Sequence, residues 1–489
     1  MSLSTSPYPP YDPTDKSGFS YETVVKRWPI IITGVIDTLH QACHQLSLQS
    51  NLNAGTDSST EVSNAGMQES TRKKIKEGTG IIEKLSKLKY EMARDKPLIP
   101  IPDDGEPHVD TYNSELAALA KDSRDTWFTA PWLFAECYLY RLLRSFFVQT
   151  EHWVSTDPFL DQKMKTFAQS GKAIYQIATT MHELEVDRAA LRVDPEKLGV
   201  LFNEMIQMCL WGNATDLSLL THLSQEDIAH LQSVGKEARA ARSKFILRDD
   251  EDAVWAHIKA LEGKEEAEKR VDFVLDNSGF EVITYTPYVS KVVFHPKLIP
   301  WFVSDVTPPD FKATFDALED ASSFFSSPTF SPSDSETTHL RTMVARWQSY
   351  LASGAFSLSV PVETPLGGGG KDEKIKAAEF WSSPYPYWDM RTRSPRAFES
   401  LQGSGLVIFK GDLNYRKLTG DIAWPAWTSF REALGPLAGS FPLLSLRTNK
   451  ADVVVGVEKE VAERLDTSGE KWRVDGRYAL ISFLGRSSE

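Results

Sequence analysis

Cysteine is scarce. There are three in 489 residues, Cys43, Cys137 and Cys209, odd in number and far apart. That excludes a disulfide framework and a Cys-x-x-Cys metal site, and it fits a reducing compartment. Positive charge is in deficit: 54 Lys and Arg against 67 Asp and Glu give a net charge of −13. A broad nucleic-acid interface needs a basic footprint, so none is expected. A few local cations would still serve a small anionic substrate. No apolar run approaches the ~18 residues of a membrane span. The opening stretch, MSLSTSPYPPYDPTDKSG, has no basic segment followed by an apolar one, so no secretory signal is expected. The cytoplasm is the expected location, with the nucleus as a second compartment. Glycine-rich nucleotide loops are missing too. The glycines at 367–370 lack a preceding strand, a GK[ST] ending and GxGxxG spacing, and read as a linker.

What is present is core-forming material: 41% of residues are hydrophobic and 11% aromatic, which suits a folded chain of roughly two or three domains. Residues 1–20 are rich in Pro, Ser and Tyr and read as a disordered arm. From 21 to 245 apolar residues recur at three- and four-residue steps, as in APWLFAECYLYRLLRSFF, predicting a helical domain. Within it, residues 49–72 are polar and read as a disordered insertion. From 246 to 489 the texture changes to short apolar runs: VDFVLDN, KVVFHP, PWFVSDV, GLVIFKGD, LLSLRT and YALISF. Continuous apolar strands with helices among them predict a parallel, doubly wound α/β sheet. No feature sets an oligomeric state.

Ligands of such sheets collect beyond the carboxyl ends of strands. Those ends present Asp276 and Asn277, then Asp305, then Lys410, Asp412, Asn414, Tyr415 and Arg416, then Arg447, Thr448, Lys450 and Asp452. Carboxylate and amide oxygens suit Mg²⁺ or Mn²⁺. Arg and Lys suit a phosphate dianion. Together they form a kit for phosphoryl transfer. Singly, each has a plainer reading. Asp276-Asn277-Ser278-Gly279 makes a good turn, Asp305 a helix cap, and DLNYRK a solvated loop. Residue chemistry alone leaves both readings open.

The blocks RWPIIITGVIDTLH, TWFTAPWLFAECYLYR, LWGNATDLSLL, FVLDNSGFE, PWFVSDV, FWSSPYPYW, FKGDLNYRKLTGD and SLRTNKADVVVG resemble, in this order, the sugar-phosphate phosphatase branch of the damage-control phosphatase family. That branch is also described as acidic-residue methyltransferase-like, with an Arg-Thr-x-Lys signature. The resemblance implies a Rossmann-like αβα sandwich preceded by a helical N-terminal domain. It also implies a divalent metal (Mn²⁺, Ni²⁺, Co²⁺ or Mg²⁺) and hydrolysis of phosphate monoesters, including fructose 1- and 6-phosphates. It places metal ligands on Asp276, Asn277 and Asp305, with Asp276 and Asp305 catalytic. Substrate contacts fall on Asp276, Asn277, Asp412, Leu413, Asn414, Tyr415, Arg416 and Lys450. Lys450 closes the Arg447-Thr448-x-Lys450 motif on phosphate. The attacking group is left open between water and a carboxylate. Glu136, Asn213 and Asp216 are further candidates to close the pocket from the helical domain, with a structural role for Asn213 and Asp216 equally open.

One departure stands out. The family usually has an amphipathic helix after DNSGFE, whereas here only residues 278–291, including Pro287, separate the two runs. A parallel crossover ordinarily takes a dozen or more residues and a helix, so a partly uncovered sheet face is expected near Val282, Ile283 and Val289. The rival functions are an S-adenosylmethionine-dependent carboxyl methyltransferase and a non-catalytic sugar-phosphate-binding protein. The first is disfavoured by the lack of a glycine-rich strand-to-helix loop with an acidic ribose ligand.

Overall fold

Alternation of side chains along buried strands sets the layers. Strand β5, Leu406–Lys410, is buried at every position. Val407 and Phe409 join one core with Val274, while Ile408 joins another with Val271 and Phe273. Both faces of the sheet are therefore covered, as the continuous apolar runs require. The computed structural model describes residues 6–53, 61–186, 189, 194–212, 244–277, 288–326 and 330–487. Among them, seven strands form one sheet: β1 (Ile246–Asp249), β2 (Arg270–Val274), β3 (Lys291–His295), β4 (Phe356–Leu358), β5, β6 (Leu443–Thr448) and β7 (Ala479–Leu484). Their order is β1-β7-β6-β5-β2-β3-β4. From β6 to β4 neighbours run parallel. β7 pairs antiparallel with β6, and β1 runs parallel to β7. The sheet is thus a mostly parallel α/β sheet with a reversed edge. The chain steps outward from β2 to β3 and β4, then returns to the other side of β2 as β5. The switch point, where such sheets gather ligands, lies between β2 and β5.

The helical part precedes the sheet. Helices Trp28–Asn53 and Glu61–Ala93 pack through Ile32, Val35 and Leu39 against Ile81, Leu85 and Leu88. Helix Trp132–Val148 is buried on nearly all sides, the mark of a central core helix. Its core also takes in Trp301, Phe302, Val303, Leu413 and Ala451, so the helices sit against the loops at the strand ends. No helix among the described residues is long and apolar enough to cross a membrane.

Several expectations need correction. Residues 6–20 are not a free arm. Tyr11 N–H donates to the Asp421 carbonyl, Ala423 N–H to the Pro9 carbonyl and Trp132 N–H to the Tyr11 carbonyl, each at 2.9 Å. Phe19 N–H reaches Asp452 Oδ2 at 3.0 Å. The Pro-rich segment is held because an extended backbone pairs with loop backbone, a bond that composition does not reveal. The polar stretch 49–72 is helical at 49–53 and 61–72, because extending a packed helix costs far less than nucleating one. The run at 300–306 is not a strand. Phe302 and Val303 have positive φ (44° and 66°), which breaks extended structure. Helix Pro195–Gly212, from the N-terminal half, belongs to the sheet's own layers. Its Phe202, Ile206 and Trp211 share a core with Val271, Phe273, Val292 and the helix Glu251–Lys259. This helix packs against β6 and against the helix Glu251–Lys259. Val289 is half-buried against that core, and Val282 and Ile283 lie outside the described residues.

The contact of Asp452 with the N-terminal segment has a pH signature. Burial pushes its carboxyl up to about 6, against the lowering effect of Phe19 N–H and with help from the charge of Asp421. The fold therefore favours the neutral acid, and stability falls as pH rises from about 4 through 6. Asp452→Asn keeps an acceptor for Phe19 without the charge. It should raise the melting temperature at pH 8 and leave it unchanged below pH 4, as read by thermal unfolding across pH.

Candidate active site

At the switch point the end of β2 is extended by loop pairing. Leu275 N–H donates to the His295 carbonyl at 3.1 Å and Val306 N–H to the Asp276 carbonyl at 2.7 Å. Asn277 and Asp305 form an antiparallel bridge. The left-handed turn at Phe302–Val303 makes this return possible, and aromatic packing sustains it: Tyr140 stacks on Phe302 at 4.8 Å and meets Trp301 at 6.0 Å. Backbone strain of this kind persists only where surroundings over-determine it. Asp276, Asn277 and Asp305 are thereby brought together, all buried. Ser304 Oγ–H donates to Asn277 Oδ1 at 2.7 Å.

Asp276 is distinctive. Both its carboxylate oxygens are buried and neither accepts a hydrogen bond, although Lys410 Nζ stands 3.6 Å from Oδ1. A Cβ at residue 411 would collide with this carboxylate, and Gly411 has φ 91°. Glycine is needed for that close approach. A buried carboxylate without donors is costly unless a cation satisfies it. Two carboxylates and an amide oxygen fit a hard divalent ion, so Asp276, Asn277 and Asp305 suit the metal implied by their sequence pattern.

The DLNYR run divides. Asp412 opens the helix Asp412–Thr419. Its Oδ1 accepts from Arg447 Nε at 2.7 Å and from Lys450 N–H at 3.1 Å, while its buried Oδ2 has no hydrogen-bond partner. The other four side chains are occupied elsewhere. Leu413 packs in the helical core. Asn414 Nδ2 donates to the carbonyls of Lys410, Val274 and Leu275 (2.7, 3.1 and 3.2 Å). Its Oδ1 accepts from Tyr387 and Lys297. Tyr415 takes Val455 N–H at 2.9 Å and lies under Arg447, whose guanidinium carbon is 4.3 Å from the ring centre. Arg416 pairs with Asp421 through Nε and Nη2 (3.2 and 2.9 Å) and with Glu136 through Nη1 (2.6 Å). These four side chains hold the helix in place. Arg447 also donates to the Val453 and Ala451 carbonyls, so of its motif Thr448 and Lys450 remain beside it, both buried.

Glu136 accepts from Trp28 Nε1 at 3.1 Å as well as from Arg416, a bracing role. Asn213 and Asp216 lie outside the described residues. Two buried lysines escaped the sequence reading. Lys163 donates to Asp157, Asp310 and the Asp305 carbonyl (2.8, 2.7 and 3.1 Å). Lys297 donates to the Leu275 carbonyl at 3.0 Å and lies 3.9 Å from Asp305 Oδ2. Burial pushes its ammonium below the usual lysine range, against the charges of Asp305 and Asp276. Nothing in the local sequence of either lysine signals these partners. A separate group, Glu77, Glu151 and His152, also has metal-ligand spacing. Glu77 is already bonded to His152, by the ring at 3.1 Å and by the backbone N–H at 2.9 Å.

Carboxylates and lysines gathered at the switch point of an α/β sheet define an enzyme site for an anionic substrate. A family model described as the damage-control phosphatase ARMT1-like domain matches residues 23–465. The chain is 32% identical over 482 residues to damage-control phosphatase ARMT1 of Xenopus tropicalis, covering 95% of this chain and 96% of that protein. It is 31% identical over 484 residues to the protein of that name from Danio rerio (96% and 95% covered). To that from Homo sapiens it is 29% identical over 490 residues (96% and 97%). The chain belongs to the ARMT1-like damage-control phosphatase family, whose members are phosphoric monoester hydrolases.

Arg416→Ala would leave Asp421 buried without its cation and Glu136 with only the Arg27 guanidinium at 3.6 Å, a loss of about 3–5 kcal/mol. Urea unfolding should show it, and Glu136→Ala should be similarly destabilised. Wild-type stability with only a raised KM would instead place Arg416 on the substrate.

Proposed function

We propose that this phosphatase is metal-dependent and hydrolyses sugar phosphate monoesters such as fructose 1-phosphate and fructose 6-phosphate. The observation that carries the metal reading is the Asp276 carboxylate, buried with neither oxygen hydrogen-bonded and set beside the Asn277–Asp305 bridge. Asp276, Asn277 and Asp305 would hold the cation, Mn²⁺, Ni²⁺, Co²⁺ or Mg²⁺. When bound, such an ion supplies Lewis-acid neutralisation of phosphoryl charge. Lys410 and Lys450 bring fixed positive charge for the remaining phosphoryl oxygens. Asp412, oriented by Arg447 through Oδ1, offers Oδ2 to a sugar hydroxyl or to the proton of the attacking group. Burial of all these groups excludes water and strengthens each interaction. The three cysteines form no disulfide and are buried, in keeping with a cytoplasmic or nuclear protein.

The decisive experiment is a metal-by-substrate panel on chelator-stripped protein. Phosphate release from fructose phosphates that returns with added Mn²⁺, Co²⁺, Ni²⁺ or Mg²⁺ supports the reading. No release with any pair would refute it, and methyl transfer from S-adenosylmethionine without metal would favour the rival.

Asp276→Ala should abolish metal-dependent turnover while leaving the fold intact, checked by circular dichroism beside the assay. Asp305→Asn should lower it strongly, because an amide binds a hard dication far less well than a carboxylate. Lys450→Ala should cut kcat/KM by about 10²–10³ if its ammonium meets charge in the transition state. An unchanged kcat/KM would make the Arg-Thr-x-Lys motif purely structural.

A further inference from the structure

Lys297 is fully buried. Taking an ammonium out of water is costly unless protein groups replace the lost hydration. A methionine would fill similar space without that cost, so packing alone does not account for a lysine. The partners of Lys297 are not scattered. Its Nζ donates to the Leu275 carbonyl at 3.0 Å, and Leu275 immediately precedes Asp276. It donates to Asn414 Oδ1 at 3.2 Å, and Asn414 lies in the first turn of the helix that Asp412 opens. It stands 3.9 Å from Asp305 Oδ2. Its own N–H donates to the carbonyl of Val306, the residue after Asp305, at 2.8 Å. One residue therefore touches the β2 end, the Asp305 loop and the Asp412 helix, three segments far apart in the chain.

We propose that Lys297 is a positioning residue that sets the spacing of these three segments, so that Asp276, Asn277 and Asp305 converge on one cation. The proposal rests on the metal reading above. Groups behind the ligands commonly matter in this way, and losing one costs roughly 10–100-fold in metal affinity or activity. The same geometry makes a sharp contrast with a mere neighbouring charge. A cation close to a metal site repels the metal, so removing it would tighten binding. Removing a positioning group loosens it.

The test uses Mn²⁺ alone as probe, with free Mn²⁺ read by electron paramagnetic resonance on the full chain. Lys297→Met should keep the circular dichroism spectrum and bind Mn²⁺ about tenfold or more weakly. Lys297→Gln, which retains an N–H donor for the Leu275 carbonyl, should recover affinity to within about threefold of wild type. At saturating Mn²⁺ the Met variant should lose kcat while KM stays near wild type. Mn²⁺ binding by folded Lys297→Met as tight as wild type, or tighter, overturns the proposal. So does a folded Gln variant as weak as the Met variant. If the Met protein fails to fold, the Gln variant decides: near-wild-type affinity supports the assignment and a tenfold loss overturns it. Asp276→Ala separates the two levels. Wild-type chain that binds no Mn²⁺ refutes the metal reading and this proposal with it. Binding abolished by Asp276→Ala but untouched by Lys297→Met refutes this proposal alone.

Discussion

The pairing of Arg416 with Glu136 and Asp421 is the constraint on which the rest depends. All three side chains are buried. The guanidinium makes a two-point contact with Asp421, a third bond to Glu136, and lies 3.7 Å from the centre of the Trp132 ring. Buried ions are tolerable only when their hydrogen-bonding groups are met in good geometry. Here that requirement fastens the helix Asp412–Thr419 to the helix Trp132–Val148. Asp421 in turn receives the N-terminal segment through its carbonyl. A shift of either helix would strand charge in a low-dielectric interior, so the relative placement of helical layer and sheet is strongly specified.

That placement determines what the strand ends can do. Gly411 admits the Asp276 carboxylate because it has no Cβ. The next residue, Asp412, is steered by Arg447 and by the backbone of Lys450. The turn bearing Asp305 is held by Tyr140 above and by Lys163 behind. Lysines 297, 410 and 450 are buried among these acids. Few charges here are exposed enough for screening by solvent, so the field at the switch point is fixed by the fold. Such preorganised charge suits phosphoryl transfer, where positioning and neutralisation do most of the catalysis.

The helix Pro195–Gly212, from the N-terminal half of the chain, packs over β6 and against the helix Glu251–Lys259. Cover for a sheet face need not come from the connection that follows its strand. Any apolar helix of suitable length can supply it, since burial of apolar area is non-directional.

Continuous apolar runs such as LVIFK specify the covered α/β sheet without reference to anything distant in the chain. Residue chemistry and family resemblance also marked Asp276, Asn277, Asp412 and Lys450 at strand ends, and Asp305 on a run that proved to be a turn. Both are local properties: a run of five residues shows that both faces are buried, and an acid after it marks an end. What each marked side chain touches depends on the folded arrangement. Asn414, Tyr415 and Arg416 look as suitable as Asp412 in a linear motif, yet their bonds go to Val274, Val455, Glu136 and Asp421. Only the helix's rotation, 100° per residue, separates them. Lys297 and Lys163 carry no local signal because their meaning lies wholly in partners remote along the chain. The left-handed turn at Phe302–Val303 was hidden for the same reason: its apolar residues spell a strand until aromatic packing from the helical part imposes the bend.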